Sequence, residues 1–214
     1  MESDNISTTP FYTLDAIDDE IFALIVKSEK DEDWKEILQN NSIKDRLTSQ
    51  GIIALERNEI RWDDATLLFT LGLKLDNNNI PIKLGDLKNR ERFGRFPSTD
   101  GSALNYFSEY TKATQRDSSL VNRPTFGELM VLINKLNKGL ENTSFSSGIG
   151  GLRIHGWITS EEATDLRKAI KSGQWGVASD EPLDGGVRDI IKHVVAILRS
   201  AERNQVGLML RSHS

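Results

Sequence analysis

The sequence predicts a mainly α-helical, multi-helix globular fold with up to two small β-hairpins. Apolar residues recur at spacings of three and four over most of the chain, which is typical of amphipathic helices. Two of these stretches are preceded by a capping box, a sequence that is typical of helix N-termini. The two boxes are Thr125 with Glu128 and Thr159 with Glu162. Folding a chain of this size hides about 70% of its surface, so one large core or two smaller ones are expected.

The first third of the chain is predicted to hold four helices. Leu14 and Ile17 begin a helical pattern behind Thr13, which can cap the first helix. Asp63 or Asp64 is placed to cap the fourth. The predicted helices cover residues 15–28, 34–39, 43–50 and 65–75.

The two short helices are followed by residues 52–62, whose pattern favours a β-hairpin. Two helices followed by a hairpin resemble a winged-helix unit, here covering residues 33–62. The resemblance implies that the second helix, 43–50, would enter a major groove of DNA. The charges of this segment nearly cancel, and Asp45 lies on the predicted recognition helix, so protein contacts are favoured over DNA.

Residues 76–101 are predicted to form an irregular, basic connector. Pro81 and Gly94 interrupt the helical pattern. An irregular span of this length has a function, contains short strands or connects two subdomains. Short strands are predicted at 80–84 and 92–96. The predicted division is an N-terminal helical subdomain with an acidic N-terminal segment, the connector and a C-terminal helical subdomain, with one packed domain as the alternative: residues 1–75, 76–101 and 102–214.

The last half of the chain is predicted to contain four helices and a short terminal strand. Gly139 and Gly173 follow basic residues and are placed to end two of the helices, and Asp184 is placed to cap the last one. Residues 142–156 are rich in Ser, Thr and Gly and are predicted to form a mobile connector. The predicted elements are helices at 103–115, 126–138, 159–172 and 187–204 and a strand at 206–210.

The composition excludes several classes of protein. The chain has no Cys, which excludes disulfide frameworks, thiolate metal sites and cysteine nucleophiles. Its only His residues, at positions 155, 193 and 213, give little basis for a His-rich metal site, so we predict no metal and no cofactor. No apolar run reaches the roughly 18 residues of a membrane span, and no signal-peptide pattern is seen. We therefore expect a cytoplasmic protein.

The charge is unevenly distributed along the chain. The formal net charge is −5, from 27 basic and 32 acidic residues. Residues 1–33 hold ten of the acids and only two of the bases, so the rest of the chain carries a small positive excess. Such asymmetry predicts either a solvated acidic face or an intramolecular contact with a basic one.

The last helix carries the main predicted binding surface. Four of its cations fall within about 60° of one another on a helical wheel, opposite an apolar face. These cations are Arg188, Lys192, Arg199 and Arg203. Such a stripe favours a partner protein with an acidic surface, or the chain's own acidic N-terminal segment. Trp157 and Trp175 are further candidates for binding residues. The alternative is that these two side chains pack the 159–172 helix against the core.

A second hypothesis is binding to nucleic acid through residues 83–96. This segment interleaves cations with aromatic rings, a combination that binds phosphates and stacks on bases. The candidate residues are Lys88, Arg90, Arg92, Phe93 and Arg95. The phenylalanines can equally anchor a loop to the core, and the cationic excess is small for a DNA-binding protein.

A third hypothesis is an enzyme, although no catalytic constellation is recognised. Asp189 and His193 stand at i and i+4, but such pairs are common on exposed helices. An unrecognised site would lie around Arg153, His155, Asp184 and Asp189. The leading prediction is therefore a non-enzymatic protein interaction module, an adaptor or a regulatory subunit, without catalytic residues.

Overall fold

The computed structural model describes residues 10–28, 31–114 and 123–213. The described residues form nine α-helices and a small antiparallel sheet, so the mainly α prediction is confirmed. The helices are α1 (Asp19–Val26), α2 (Asp31–Gln39), α3 (Asn41–Ser49), α4 (Asp64–Gly72), α5 (Leu87–Gly94), α6 (Ala103–Glu109), α7 (Phe126–Lys138), α8 (Ser160–Lys171) and α9 (Gly186–Asn204). The strands are β1 (Phe11–Ile17), β2 (Thr111–Ala113), β3 (Leu152–Ile158), β4 (Trp175–Val177) and β5 (Gly207–His213).

The last strand of the chain is the centre of the main sheet. The order is β1-β5-β3, with both pairings antiparallel, and β2 and β4 form a separate pair. The predicted terminal strand is thus confirmed, and it extends three residues further, to His213. Because its side chains alternate between two faces, Leu208 and Leu210 pack in one apolar cluster and Met209 packs in the other.

Each face of this sheet covers a separate apolar core. One core is built mainly by α5 to α9 around residues such as Phe107 and Leu198, and the other by α1 to α4 around residues such as Phe22 and Leu68. All four of these side chains are fully buried. The division of the chain at residues 76–101 stays a prediction.

The predicted first helix, 15–28, is wrong in its first part. Tyr12, Leu14 and Ala16 alternate inward along β1, and α1 begins only after Asp18, whose Oδ1 accepts a hydrogen bond from the Ile21 N–H. A spacing of three between Leu14 and Ile17 suits a helix, but pairing along β5 satisfies the backbone of this segment instead.

Residues 92–96 are not a strand, because α5 covers most of them. The Asp86 carboxylate caps α5 by accepting from the Asn89 N–H at 2.8 Å, and Phe93 points into the core. Residues 80–84 contain only an isolated bridge between Leu75 and Pro81. The residues that predict a strand at 92–96 belong instead to a short helix with a charged face.

The winged-helix-like unit is not confirmed. The two predicted helices exist as α2 and α3, but residues 52–62 form no strand pair and contain only a 3-10 turn at Arg57–Glu59. The predicted mobile connector at 142–156 is also wrong in its last part, because β3 starts at Leu152 and pairs with β5.

The capping boxes predict the helix starts correctly. Thr125 with Glu128 and Thr159 with Glu162 form the reciprocal hydrogen bonds at the starts of α7 and α8. Before α9 the prediction is wrong in detail: Gly185 is the cap residue, and no side-chain capping bond comes from Asp184.

The helix predicted at 103–115 ends at Glu109, and β2 follows it. No helix in the described part of the chain is both long enough and apolar enough to cross a membrane.

Candidate functional site

The predicted cationic stripe lies on the exposed side of α9. All four of its residues are exposed, and none of them forms an ion pair with another described residue. The stripe runs from Arg188 to Arg203, about 22 Å along the helix at 1.5 Å per residue. By contrast, the neighbouring Glu202 is already engaged by Arg167 at 2.7 Å. The stripe therefore presents charges that the described part of the chain does not neutralise.

Helix α5 lies antiparallel beside α9 and adds cations to this surface. Lys88 and Arg92 are exposed and line a cleft of about 670 Å³ with the first turn of α9. At the other end, Arg199 and Arg203 line a cleft of about 680 Å³ with the start of α5. We call the six exposed cations of the two helices the basic face: Lys88, Arg92, Arg188, Lys192, Arg199 and Arg203.

Acidic residues also line these two clefts. Glu91, Asp184 and Asp189 line the first cleft, and Asp86 and Glu202 line the second. The acids make each cleft close to neutral, and Arg199 and Arg203 of the stripe line the second one. Arg188 and Lys192 line neither of these clefts and are exposed on the open surface of α9.

His193 holds α5 against α9. Its Nδ1 lies 2.7 Å from Asn89 Oδ1, and its Nε2 lies 3.3 Å from Asp189 Oδ1. The pair with Asp189 therefore forms as the spacing suggests, but only 3% of His193 is exposed. A ring packed between two helices in this way positions α5 and leaves little room for a substrate.

The aromatic part of the 83–96 segment faces the core. Phe93 is 2% exposed and Phe96 is 5% exposed, so neither ring is accessible to a base. Arg95 pairs with Glu91 at 2.8 Å, and Arg90 is half-buried. The cations and the rings that the nucleic-acid hypothesis combines therefore point in different directions.

Both candidate tryptophans anchor secondary structure and lie away from the basic face. Trp157 packs on Phe22 with ring centroids 5.1 Å apart, in the apolar core that is built by α1 to α4. Trp175 donates from Nε1 to the Ile170 carbonyl at 2.8 Å and packs edge-on against Phe107. Both side chains are half-buried, and each ties a neighbouring element to a core.

Three described acids of the N-terminal segment are engaged elsewhere. Asp15 pairs with Arg211 on the neighbouring strand, and Asp18 pairs with Lys74 at 2.7 Å. Asp19 accepts from the backbone N–H of Ser160 at 2.7 Å. None of these three contacts reaches α9. Glu20 is exposed on α1, and Glu2, Asp4 and Glu29 lie outside the described residues.

The residues of the enzyme hypothesis fall into two separate places. Asp184 and Asp189 line the cleft at the start of α9, whereas Arg153 and His155 line a different cleft of about 400 Å³. The second cleft, which we call the polar cleft, lies at one end of the main sheet. It is lined by Asn137, Glu141, Asn142, Ser146, Ser147, Arg153, Ile154 and His155.

A β-bulge carries His155 into the polar cleft. The register of β3 against β5 shifts between Ile154 and Gly156. The His155 ring stacks on Tyr12 with centroids 5.2 Å apart, and its Nε2 lies 2.9 Å from Ser212 Oγ. Burial and the nearby Arg153 cation lower the pKa of His155, so the ring is neutral at pH 7.

Sequence reasoning named Arg153 and His155 but missed the other groups that support this cleft. Tyr12, Ser212 and Arg153 form one row across the three strands, and Asn137 comes from the end of α7. They are far apart in the sequence and belong to no motif. No local signal marks Ser212 or Asn137, because Ser212 stands between Arg211 and His213 and Asn137 stands beside Lys138.

Comparison of the chain with models of known protein families, with curated proteins and with solved structures found no match. Function is therefore inferred from the charges, clefts and hydrogen bonds of the described residues.

Proposed function

We propose that this protein is a non-enzymatic interaction protein, an adaptor or a regulatory subunit, that binds an acidic surface of a partner protein through the basic face. One observation carries the proposal: the cations of the stripe on α9 are exposed and form no ion pair within the described part of the chain. A partner that supplies carboxylates along about 22 Å of helix would match the length of the stripe.

The stripe is unfavourable for the isolated protein. Arg188 and Lys192, and likewise Arg199 and Arg203, are like charges at i and i+4, an arrangement that destabilises a helix by a few tenths of a kcal/mol per pair. An acidic partner relieves this repulsion. Each exposed ion pair contributes only about 0 to 1 kcal/mol, so the stripe steers and orients the partner more than it holds it.

An acidic protein is a better match than nucleic acid. The rings of Phe93 and Phe96 are buried, so stacking on bases is not available from this segment. Carboxylates of Glu91 and Asp189 line the cleft that Lys88 and Arg92 share with α9. A phosphate backbone that followed the cations would pass close to these acids and be repelled.

The test is a charge reversal with a matched control. Arg199→Glu combined with Arg203→Glu reverses two charges of the basic face, and Lys44→Glu combined with Arg61→Glu reverses two exposed charges near α3 and α4. The wild-type protein and the control should recover the same partner from a host extract, and the basic-face variant should lose it. Circular dichroism should show all three proteins folded.

Reconstitution with the purified partner then tests the physical mechanism. The affinity should fall as the salt concentration rises from about 50 to about 300 mM, because salt screens exposed charges. Equal partner recovery by the basic-face variant would refute the proposal. Retention of duplex DNA at about 0.15 M salt, lost in the same variant, would instead favour the nucleic-acid hypothesis.

A further inference from the structure

Two side chains of the polar cleft, His155 and Asn137, have orientations that are fixed by their neighbours. The position of the cleft at the sheet end lets α7, the 144–146 turn and β3 contribute to its walls. The His155 ring is held by Tyr12 on one side and by Ser212, which is only 3% exposed. Pockets for small ligands are concave and contain a few polar groups that are held in place. The volume of the polar cleft, about 400 Å³, is large enough for a small ligand.

Asn137 has an orientation that a carboxylate determines. Asp100 can only accept hydrogen bonds when ionised, so Asn105 must turn its Nδ2 toward Asp100 Oδ2. The Asn105 Oδ1 then accepts from Asn137 Nδ2. As a result the Asn137 Oδ1 is left as the acceptor, and it receives no hydrogen bond from a described residue. Asn137 is 6% exposed and lines the cleft, so its Oδ1 is an unpaired acceptor, accessible from the cleft, that a ligand donor can satisfy.

Two opposite charges complete the cleft. Arg153 and Glu141 are exposed at its edge, and neither forms an ion pair with a described residue. The pKa of His155 is lowered by burial and by Arg153, which leaves that ring neutral at pH 7. The site therefore offers one cation, one anion and neutral hydrogen-bonding groups, with no net charge for a phosphate or another strongly charged ligand to match.

We propose that the polar cleft binds a small zwitterion, a free α-amino acid, with its carboxylate on Arg153 and its ammonium group on Glu141 and Asn137. The planar guanidinium of Arg153 matches the two oxygens of a carboxylate. An ammonium group has three donors and no acceptor, so it matches the Glu141 carboxylate and the Asn137 Oδ1. This site is independent of the basic face.

Titration calorimetry with each of the common L-α-amino acids, at up to about 10 mM, tests the proposal. We expect binding of one amino acid or of one chemically related group. Arg153→Gln and Glu141→Gln should each weaken that binding about tenfold or more, the loss expected for one charge-assisted hydrogen bond. Arg61→Gln and Glu36→Gln, which remove exposed charges outside the cleft, should leave the affinity unchanged.

Simpler ligands separate the contributions of the two charged groups. The amine that lacks the carboxylate and the acid that lacks the amino group should each bind about tenfold or more weakly than the amino acid. Three outcomes would overturn the proposal: no amino acid binds, glucose binds as well as the best amino acid, or the affinity is unchanged in both Arg153→Gln and Glu141→Gln. Each of these results is independent of whether a partner protein binds the basic face.

Discussion

Gly156 is the position at which the packing of α7 against β3 can be tested most directly. A Cβ built on Gly156 would lie 2.1 Å from the Lys135 carbonyl oxygen, 2.7 Å from that of Leu136 and 2.9 Å from the Gly139 nitrogen. These are backbone atoms, which cannot turn aside as a side chain can. Gly156→Ala therefore forces the end of α7 away from the sheet.

The size of the effect follows from these distances. Ordinary contact begins at 3.4 Å, so the Lys135 carbonyl and β3 must separate by about 1.3 Å. The 2.9 Å hydrogen bond from the Leu140 N–H to the His155 carbonyl is lengthened by the same movement. Overpacking costs about 1 to 3 kcal/mol and a lost hydrogen bond about 1 kcal/mol, so we expect a loss of about 3 kcal/mol.

Urea unfolding followed by tryptophan fluorescence measures this loss, and Tm should fall by about 6 to 12 °C. Gly127→Ala is the matched control, because Gly127 is exposed in the first turn of α7 and its Cβ would lie 3.8 Å from the nearest atom. That variant should gain about 0.5 kcal/mol from higher helix propensity. If Gly156→Ala is as stable as the wild-type protein, α7 does not pack on β3 as described.

Two further predictions concern a helix cap and a pH dependence. Thr159→Ala should lower the free energy of unfolding by about 1 kcal/mol by removing the 3.1 Å hydrogen bond from the Glu162 N–H, whereas Thr159→Ser should retain it; equal urea midpoints for the two variants would contradict this. Burial and Arg153 lower the pKa of His155, so the unfolded chain binds its proton more readily and wild-type stability should decrease as pH falls below about 6.5. His155→Gln should weaken this decrease when urea midpoints at pH 7.5 and 5.5 are compared, and an unchanged pH dependence would rule out the assigned role of His155.

Local signals were sufficient where a few adjacent residues determine the structure. A capping box is complete within four residues, so Thr125 and Thr159 mark the starts of α7 and α8 without knowledge of the rest of the fold. The amphipathic pattern of α9 likewise predicts which residues are exposed, and Arg199 and Arg203 are exposed as expected. In these cases the interactions that decide the structure lie within one or two helical turns.

Strand pairing was not accessible in this way. Residues 11–17 become β1 only because β5, nearly 200 positions later, offers a partner for their backbone groups. The same pairing places Tyr12 beside Ser212, and these two residues hold the His155 ring of the polar cleft. Alternation within a short segment does not say which distant segment pairs with it, and the spacing of Leu14 and Ile17 also fits a helix.

The sequence by itself determined the mainly helical fold class, the caps of α7 and α8 and the cationic stripe of α9, because each depends on contacts between near neighbours in the chain. Only the tertiary structure decided that β5 is the central strand, that the rings of residues 93 and 96 face the core, and that Asn137, Arg153 and His155 share one cleft. These features depend on which distant segments pack together, and that choice minimises unsatisfied backbone groups and exposed apolar surface over the whole molecule.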